Sequence, residues 1–266
     1  MRAIGMLRGA WQFRDFIAAS VRREFASRYL GTQLGFFWAI AQPLALIAIY
    51  TLVFAEIMKP VLPGHPSRFA YGIYLTGGVV LWGLFGELLS RLVGIFVQNA
   101  NMLKKVSVPK VTLPVVVVAN TLLHFAIVLA LFLAFLAVAG EWPGMRLVAL
   151  APVVVIVVAF GTGLGVLLGT VNVFYRDVEH STGLLLNFWF WLTPIVYPGR
   201  ALPDAWQSIL AWNPMAPLVR TVQDVFLGPA FPDLAPLAYP AVAAAVLLFA
   251  GAAAFWRLGA DVVDEL

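Results

Sequence analysis

Long apolar runs constrain this 266-residue chain more than any other feature. Hydrophobic residues make up 62% of the sequence and charged residues 11%, so a soluble domain would leave far too much apolar surface in water. A helix needs about 20 residues to cross a hydrocarbon core of about 30 Å. The chain is therefore predicted to be an integral membrane protein. Its predicted spans are residues 34–58, 71–97, 114–139, 147–173, 183–197 and 238–256.

These runs predict helices, because they lack the alternation with a period of two that membrane strands require. The fifth run is the shortest, and Pro194 near its end predicts an irregular continuation where protein surrounds it. We expect an all-α membrane protein with six transmembrane helices and an N-terminal amphipathic interfacial helix. Short re-entrant or interfacial gate helices are expected between spans five and six. The N-terminus lacks the continuous apolar core of a cleavable signal.

Basic residues are distributed unevenly between the two sides of this predicted topology. Eleven of the 17 Lys and Arg residues fall on the side that carries both termini, and five fall on the other. The positive-inside rule therefore predicts that both termini are cytoplasmic. The net charge of +4 is explained by this orientation and by contact with lipid headgroups, and nothing indicates a nucleic-acid partner.

Residues 1–33 are predicted to form a cytoplasmic amphipathic interface helix, followed by a transmembrane domain at residues 34–266. The apolar residues of this N-terminal helix recur at helical spacing, and its charged residues lie on the opposite side. A simple lipid anchor and a helix that also touches a cytoplasmic partner both fit this pattern. The apolar set is Phe13, Phe16, Ile17, Val21 and Phe25, and the charged set is Arg14, Arg22, Arg23 and Glu24.

Charged side chains are rare within the spans, and Glu87 and Arg91 lie four residues apart on one face of span two. Either charge alone near mid-membrane costs about 2.5–3.5 kcal/mol on insertion scales, and pairing at this spacing reduces the cost. The two residues could form a buried structural pair, or belong to the transport path or a subunit interface. His124 in span three fits a hydrogen-bonded bundle residue better than a proton relay.

Span four contains small residues at close spacing, which predict tight helix packing. They do not form a phosphate-binding loop, because no Lys-Ser/Thr pair follows them. These residues are Gly161, Gly163, Gly165 and Gly169.

Nothing in the sequence predicts a catalytic residue, a metal site or a cofactor. Cysteine is absent, the three histidines are far apart, and neither a His-x-x-x-His nor a Gly-x-Ser-x-Gly motif occurs. Uphill transport would then draw on an ion gradient or on a separate ATPase. A gradient-coupled carrier usually has several buried ionisable residues and broken helices at mid-membrane. The compact polar loops at residues 98–110 and 175–180 favour docking of a soluble ATPase.

Five short motifs resemble the permeases of ABC type-2 transporters, and most closely those that export O-antigen, capsule and teichoic acid polysaccharides. In chain order they are RYLGTxLG from residue 28 with Trp38 and Pro43, NMLKKV from 101 with Pro109, VFYRDV from 173, WLTPIVYP from 191, and WNP from 212.

The resemblance implies a six-helix half-channel that forms a homodimer and binds two copies of a separate nucleotide-binding ATPase. ATP and Mg²⁺ would be bound by that partner, and no cofactor by this chain. Short coupling helices in the cytoplasmic loops would contact the ATPase. The residues implied in this contact are Asn101, Leu103, Lys104, Lys105, Tyr175, Arg176, Asp177 and Glu179.

The resemblance also implies a path between protomers in which aromatic side chains stack on sugar rings, although such residues also form ordinary interfacial belts. The path candidates are Trp82, Phe188, Trp189, Trp191 and Tyr197. Residues 203–227 correspond to outer gate helices, or alternatively to a hairpin that only stiffens the bundle. The gate candidates are Trp206, Trp212, Asn213, Pro214, Leu218 and Val222.

The expected function is export of a lipid-linked polysaccharide, an O-antigen or a capsule-like glycan, across the bacterial inner membrane. Three alternatives remain at this stage: efflux of a small amphipathic drug or lipid by the same family, an ion-coupled carrier, and a membrane scaffold without transport.

Overall fold

The computed structural model of the chain describes residues 14–30, 37–53, 67–105, 110–198 and 203–258. These residues contain helices and no β-strand, so the all-α fold class is confirmed. The α-helices are α1 (Arg14–Leu30), α2 (Phe37–Leu52), α3 (Ala70–Gln98), α4 (Ala100–Lys105), α5 (Thr112–Ala139), α6 (Leu150–Phe174), α7 (Asp177–Leu192), α8 (Asp204–Ala211), α9 (Met215–Leu227) and α10 (Ala238–Leu258). Two 3₁₀-helices, Gly144–Ala149 and Ala235–Leu237, precede α6 and α10.

Four segments of the described chain are long and apolar enough to cross a membrane. They coincide with the second, third, fourth and sixth predicted spans. Their bounds are Ala70–Gln98, Thr112–Ala139, Gly144–Phe174 and Ala235–Arg257.

The other two predicted spans correspond to shorter helices. The apolar part of α2 is Ile40–Thr51, and residues 34–36 and 54–58 of the predicted first span lie outside the described chain. The predicted bounds of the fifth span, 183–197, were wrong, because α7 covers Asp177–Leu192. Pro194 disfavours a helical conformation for the residue before it, and Thr193 is extended, with φ −100° and ψ 136°.

Helix α3 runs through the centre of the bundle. It packs against α2, α5, α6, α7 and α9, and its inner side chains are fully buried because other helices cover them on several sides. Its side chains with no exposed surface include Phe85, Leu88, Leu92 and Phe96. The polar groups at both ends of α3 are therefore held at fixed positions relative to the rest of the molecule.

Glycines allow α6 to lie in backbone contact with its neighbours. A Cβ atom on Gly163 would lie 2.4 Å from the backbone nitrogen of Leu248 on α10, and one on Gly169 would lie 2.4 Å from the carbonyl oxygen of Leu92 on α3. Without a strong hydrophobic effect between helices in lipid, such close packing contributes much of their association. The packing role predicted for the span-four glycines is confirmed.

Helix α1 lies along α5. Its residues Phe16, Ile17, Val21 and Phe25 are partly buried, and its arginines at positions 14, 22 and 23 are exposed, as the amphipathic pattern predicts. The remainder of the predicted N-terminal unit, residues 1–13 and 31–33, lies outside the described chain, as does the side chain of Lys105.

Gly163→Ala is expected to destabilise the protein by about 1–3 kcal/mol, because backbone atoms of α10 cannot move away from the added methyl group as a flexible side chain could. Gly183→Ala is the matched control, since a Cβ at Gly183 in α7 meets nothing within 4 Å. That control should be neutral or stabilising, because Ala is favoured over Gly in helices by up to about 1 kcal/mol. Thermal unfolding in detergent measures the stability of both variants. Equal unfolding midpoints for the two would contradict the role of Gly163 in packing.

Candidate functional site

The chain turns sharply between α6 and α7, at the end of the bundle where α3 reaches Gln98. Tyr175 is extended, with φ −131° and ψ 90°, and its N–H still donates to the carbonyl of Val171. Asp177 and Glu179 lie in the first turn of α7, where the helix dipole stabilises negative charge. The polar sequence of this turn therefore favours the start of a helix as well as exposure to water.

Three residues of the turn project away from the bundle. Tyr175 is 70% exposed, and Arg176 and Asp177 are also exposed. The side chains of Arg176 and Asp177 make no hydrogen bond or ion pair with another described residue. Their side chains are available to another molecule.

Glu179, which the resemblance implies in the ATPase contact, is exposed and also attaches the turn to the bundle. Its carboxylate accepts hydrogen bonds from Gln98 Nε2 at 3.1 Å and Asn172 Nδ2 at 3.4 Å. Asn172 Oδ1 accepts from the Glu179 backbone N–H at 3.0 Å, and Asn172 Nδ2 also reaches the carbonyl of Val93 at 3.2 Å. The two amides therefore connect α3, α6 and α7.

The short helix α4 begins directly after α3 at the same end of the molecule. Asn99 stabilises the junction, because its side chain donates to the carbonyl of Ile95 at 2.8 Å and its own carbonyl accepts the N–H groups of Met102 and Leu103. Leu103 packs on the core, whereas Asn101 and Lys104 are exposed. We call five of the exposed residues at this end the coupling surface: Asn101, Lys104, Tyr175, Arg176 and Asp177.

The five aromatic candidates for the transport path occupy different environments. Trp82 and Trp189 lie inside the bundle with ring centroids 6.2 Å apart, and Phe85 contacts both rings. Phe188 and Trp191 are 61% and 62% exposed on α7. They belong to an exposed apolar strip, the α7 face, which consists of Leu184, Leu185, Phe188, Trp191 and Leu192.

Side chains of α3 and α9 hold the irregular segment that follows α7. The carbonyl of Pro194 accepts hydrogen bonds from Gln223 Nε2 at 3.1 Å and the Tyr74 hydroxyl at 3.3 Å. Tyr74 also donates to the carbonyl of Tyr197 at 3.1 Å, and the Tyr71 hydroxyl donates to that of Val196. Backbone groups at membrane depth need such partners. Sequence reasoning missed both tyrosines, although their spacing of three near the start of an apolar span was a usable signal.

Asn213 connects the segment between α8 and α9 to the end of α7. Its Oδ1 accepts from Trp189 Nε1 at 2.9 Å and from the backbone N–H of Met215 at 3.0 Å, and its Nδ2 donates to Thr193 Oγ1 at 3.0 Å. The remaining gate candidates divide by burial. Leu218 and Val222 are buried against α3, Pro214 is partly buried, and Trp206 and Trp212 are exposed.

The pair predicted within span two belongs to a larger polar cluster that joins three helices. Glu87 Oε1 lies 3.5 Å from Arg91 NH1, and Glu87 Oε2 lies 2.6 Å from His124 Nδ1 on α5. Arg91 NH2 contacts the carboxylate of Glu24 on α1, and Glu24 also accepts from Asn120 Nδ2 at 2.7 Å. The prediction that Glu24 lies on the outer polar side of α1 was wrong, because Arg91 offers a partly buried cation that sequence periodicity cannot reveal.

The described residues include no group of three or more His, Cys, Asp or Glu side chains that could hold a metal ion. The polar side chains described above either join helices to one another or are exposed, where another molecule can contact them.

Residues 16–227 match the sequence model of the family described as ABC-2 type transporter. The chain belongs to this family. The predicted resemblance is confirmed, and so is the expectation of a transport permease instead of an enzyme.

Relatives of this ABC-2 transporter chain cover 80% to 95% of its length. It is 32% identical over 254 residues to the O-antigen export system permease protein RfbA of Myxococcus xanthus, with 95% of each chain covered. It is 28% identical over 214 residues to a protein of the same name from Klebsiella pneumoniae, with 80% of each covered. The polysialic acid transport protein KpsM of Escherichia coli is 23% identical over 243 residues, with 90% of this chain and 92% of KpsM covered.

In this ABC-2 permease the ion pair between Glu24 and Arg91 should attach α1 to the bundle. Glu24→Gln and Arg91→Met are each expected to lower stability, and a double-mutant cycle should give a coupling free energy of about 0.5–3 kcal/mol. Arg22→Gln is the control, because Arg22 is exposed on the same helix. Unfolding in detergent provides the measurement, and strictly additive effects of the two substitutions would refute the pairing.

Proposed function

We propose that the chain is the membrane subunit of an ATP-driven exporter that moves a lipid-linked polysaccharide, an O-antigen or capsule-like glycan, across the bacterial inner membrane. The observation that carries this proposal is the 32% identity to an O-antigen export permease over 95% of both chains. The relative named for polysialic acid transport also favours a glycan over a small drug or lipid as the exported substrate.

The proposed topology has six membrane spans, with α2 and α7 as the two shorter ones. Both termini and the interface unit at residues 1–33 would be cytoplasmic, ahead of a transmembrane domain at 34–266. The distribution of cations supports this orientation. Arg22 and Arg23 on α1, like Lys104 and Arg176 on the coupling surface, are exposed near the Gln98 end of α3.

ATP hydrolysis is assigned to a separate subunit, two copies of which would dock on the coupling surfaces of a homodimer. Arg176 and Asp177 suit this contact, because their charges are exposed and make no interaction within the described chain. Glu179 would act indirectly, by holding the turn against Gln98 and Asn172.

The proposed mechanism is mechanical. Closure of the two ATPase subunits around ATP would push the α6–α7 turn, and the Glu179–Gln98 contact would transmit the displacement to α3. At the other end of α3, Tyr74 is bonded to the segment after α7, so the same displacement would reach the outer gate formed by α8 and α9. A path would then open between protomers.

The exposed α7 face is the proposed lining of this path. Phe188 and Trp191 offer flat apolar rings on which sugar rings can stack, and both are on the same side of α7. Trp82 and Trp189, which pack on each other, would support this lining from behind.

Arg176→Ala combined with Asp177→Ala is expected to reduce export by about tenfold or more while the protein remains in the membrane, because loss of an interface charge pair costs about 2–5 kcal/mol. Glu141→Ala combined with Arg146→Ala is the matched control. It also removes one anion and one cation, at the opposite end of α6. Surface display of the glycan, together with capture of the ATPase by the solubilised chain, measures the effect. Normal export by the first variant would defeat the docking proposal.

Phe188→Ala is expected to lower export by about tenfold, because an aromatic contact contributes about 0.5–1.5 kcal/mol beyond its buried area and 1.4 kcal/mol corresponds to tenfold. Phe249→Ala provides the control. Phe249 is 76% exposed on α10, away from the proposed path. Export is compared at equal membrane levels of both variants, and equal export would remove Phe188 from the path.

A further inference from the structure

A narrow cleft lies between α2, α3 and α5, away from the coupling surface and the α7 face. It encloses about 240 Å³, and its walls are mainly apolar. Among the residues that line it are Leu46, Ile47, Val80, Leu84, Phe125 and Val128. No function proposed above uses this cleft.

The dimensions of the cleft fit a flexible chain. Its wall on α3 extends from Thr76 to Glu87, twelve residues whose eleven rises of about 1.5 Å span about 17 Å. Its volume exceeds the roughly 150 Å³ of a cavity that holds benzene and is below the roughly 300–1,000 Å³ of drug-sized sites.

One end of the cleft is polar. Glu87 and His124 line this end, 2.6 Å apart between Oε2 and Nδ1. The cluster behind them contains the carboxylates of Glu87 and Glu24 and the guanidinium of Arg91. The Glu87 carboxylate forms part of the cleft wall, where it can accept a hydrogen bond from an ammonium group.

The position of the polar end matches a lipid headgroup. Trp38, 52% exposed, lies beside Gln42 in the wall on α2, and tryptophan is typical of the membrane interface. The contact of Glu24 with Arg91 places the amphipathic helix α1 close to the same end. The apolar part of the cleft continues from there along α3 toward Thr76.

We propose that this cleft binds one acyl chain of a membrane lipid with an amine headgroup, whose ammonium lies beside Glu87. The bound lipid connects α2, α3 and α5 next to the site where α1 attaches. This inference concerns lipid binding alone and holds whether or not the chain exports a glycan.

The test uses the full chain in vesicles of phosphatidylethanolamine and phosphatidylglycerol, with a trace of phosphatidylethanolamine that carries a diazirine on one acyl chain. After irradiation, labelled peptides are identified by mass spectrometry. The yield at Leu46 and Phe125 should exceed that at Phe249, which is exposed on α10 and reports ordinary lipid contact. Equal yields at the three positions would overturn the proposal.

A filled cleft provides the decisive variant. A Cβ on Gly83, which lines the cleft, meets nothing within 4 Å, so Gly83→Leu places a side chain in the space without a backbone clash. Labelling in the cleft should fall about tenfold, which corresponds to about 1.4 kcal/mol, because the added side chain occupies the space of the acyl chain. Gly86→Leu is the matched control on the same helix and should leave labelling unchanged. Val80→Phe fills the same cleft if Gly83→Leu does not fold.

The headgroup is tested by placing the same diazirine on phosphatidylglycerol. Phosphatidylethanolamine should label the cleft more strongly, and Glu87→Gln should abolish that preference. Equal labelling by both lipids would overturn the assignment of an amine headgroup. Unchanged labelling in the filled variants, or crosslinks from the cleft to a second protomer, would overturn the lipid site itself.

Discussion

The close contact between α3 and α6 is the interaction on which the rest of the structure depends. Gly169 brings α6 so near to α3 that an added Cβ would lie 2.4 Å from the carbonyl oxygen of Leu92. Gly163 does the same between α6 and α10. Because the helix backbones are in contact at these points, the three helices pack in a single arrangement. None of them can shift along another without breaking these contacts. The remaining helices pack around this unit.

Polar groups along α3 then attach the other functional elements to that unit. Tyr74 holds the irregular segment after α7, Arg91 holds α1, and Gln98 holds the α6–α7 turn through Glu179. In lipid the side chains of Tyr74 and Arg91 need protein partners, whereas Gln98 is exposed at the end of α3. The hydrogen bonds and the ion pair made by these side chains therefore connect three elements through α3: the coupling surface, helix α1 and the opposite end of the bundle.

Sequence patterns predicted the features that depend on one segment alone. Apolar length located the four long spans, and Gly163 and Gly169 indicated close packing before any neighbour was known. Features that depend on distant segments were not predictable. Glu24 faces inward because Arg91, 67 positions away in the chain, offers it a charge, and Glu179 is held by Gln98 at a separation of 81 residues.

The central claim is that the coupling surface contacts a soluble ATPase. The most direct measurement replaces Tyr175 with the photocrosslinking amino acid benzoylphenylalanine in cells and identifies the captured proteins. Trp142, 54% exposed at the opposite end of α6, receives the same replacement as a control. We predict a covalent product with a nucleotide-binding subunit from position 175 and none from position 142. Capture of that subunit from position 142 alone, or from neither position although it copurifies with the chain, would contradict the account.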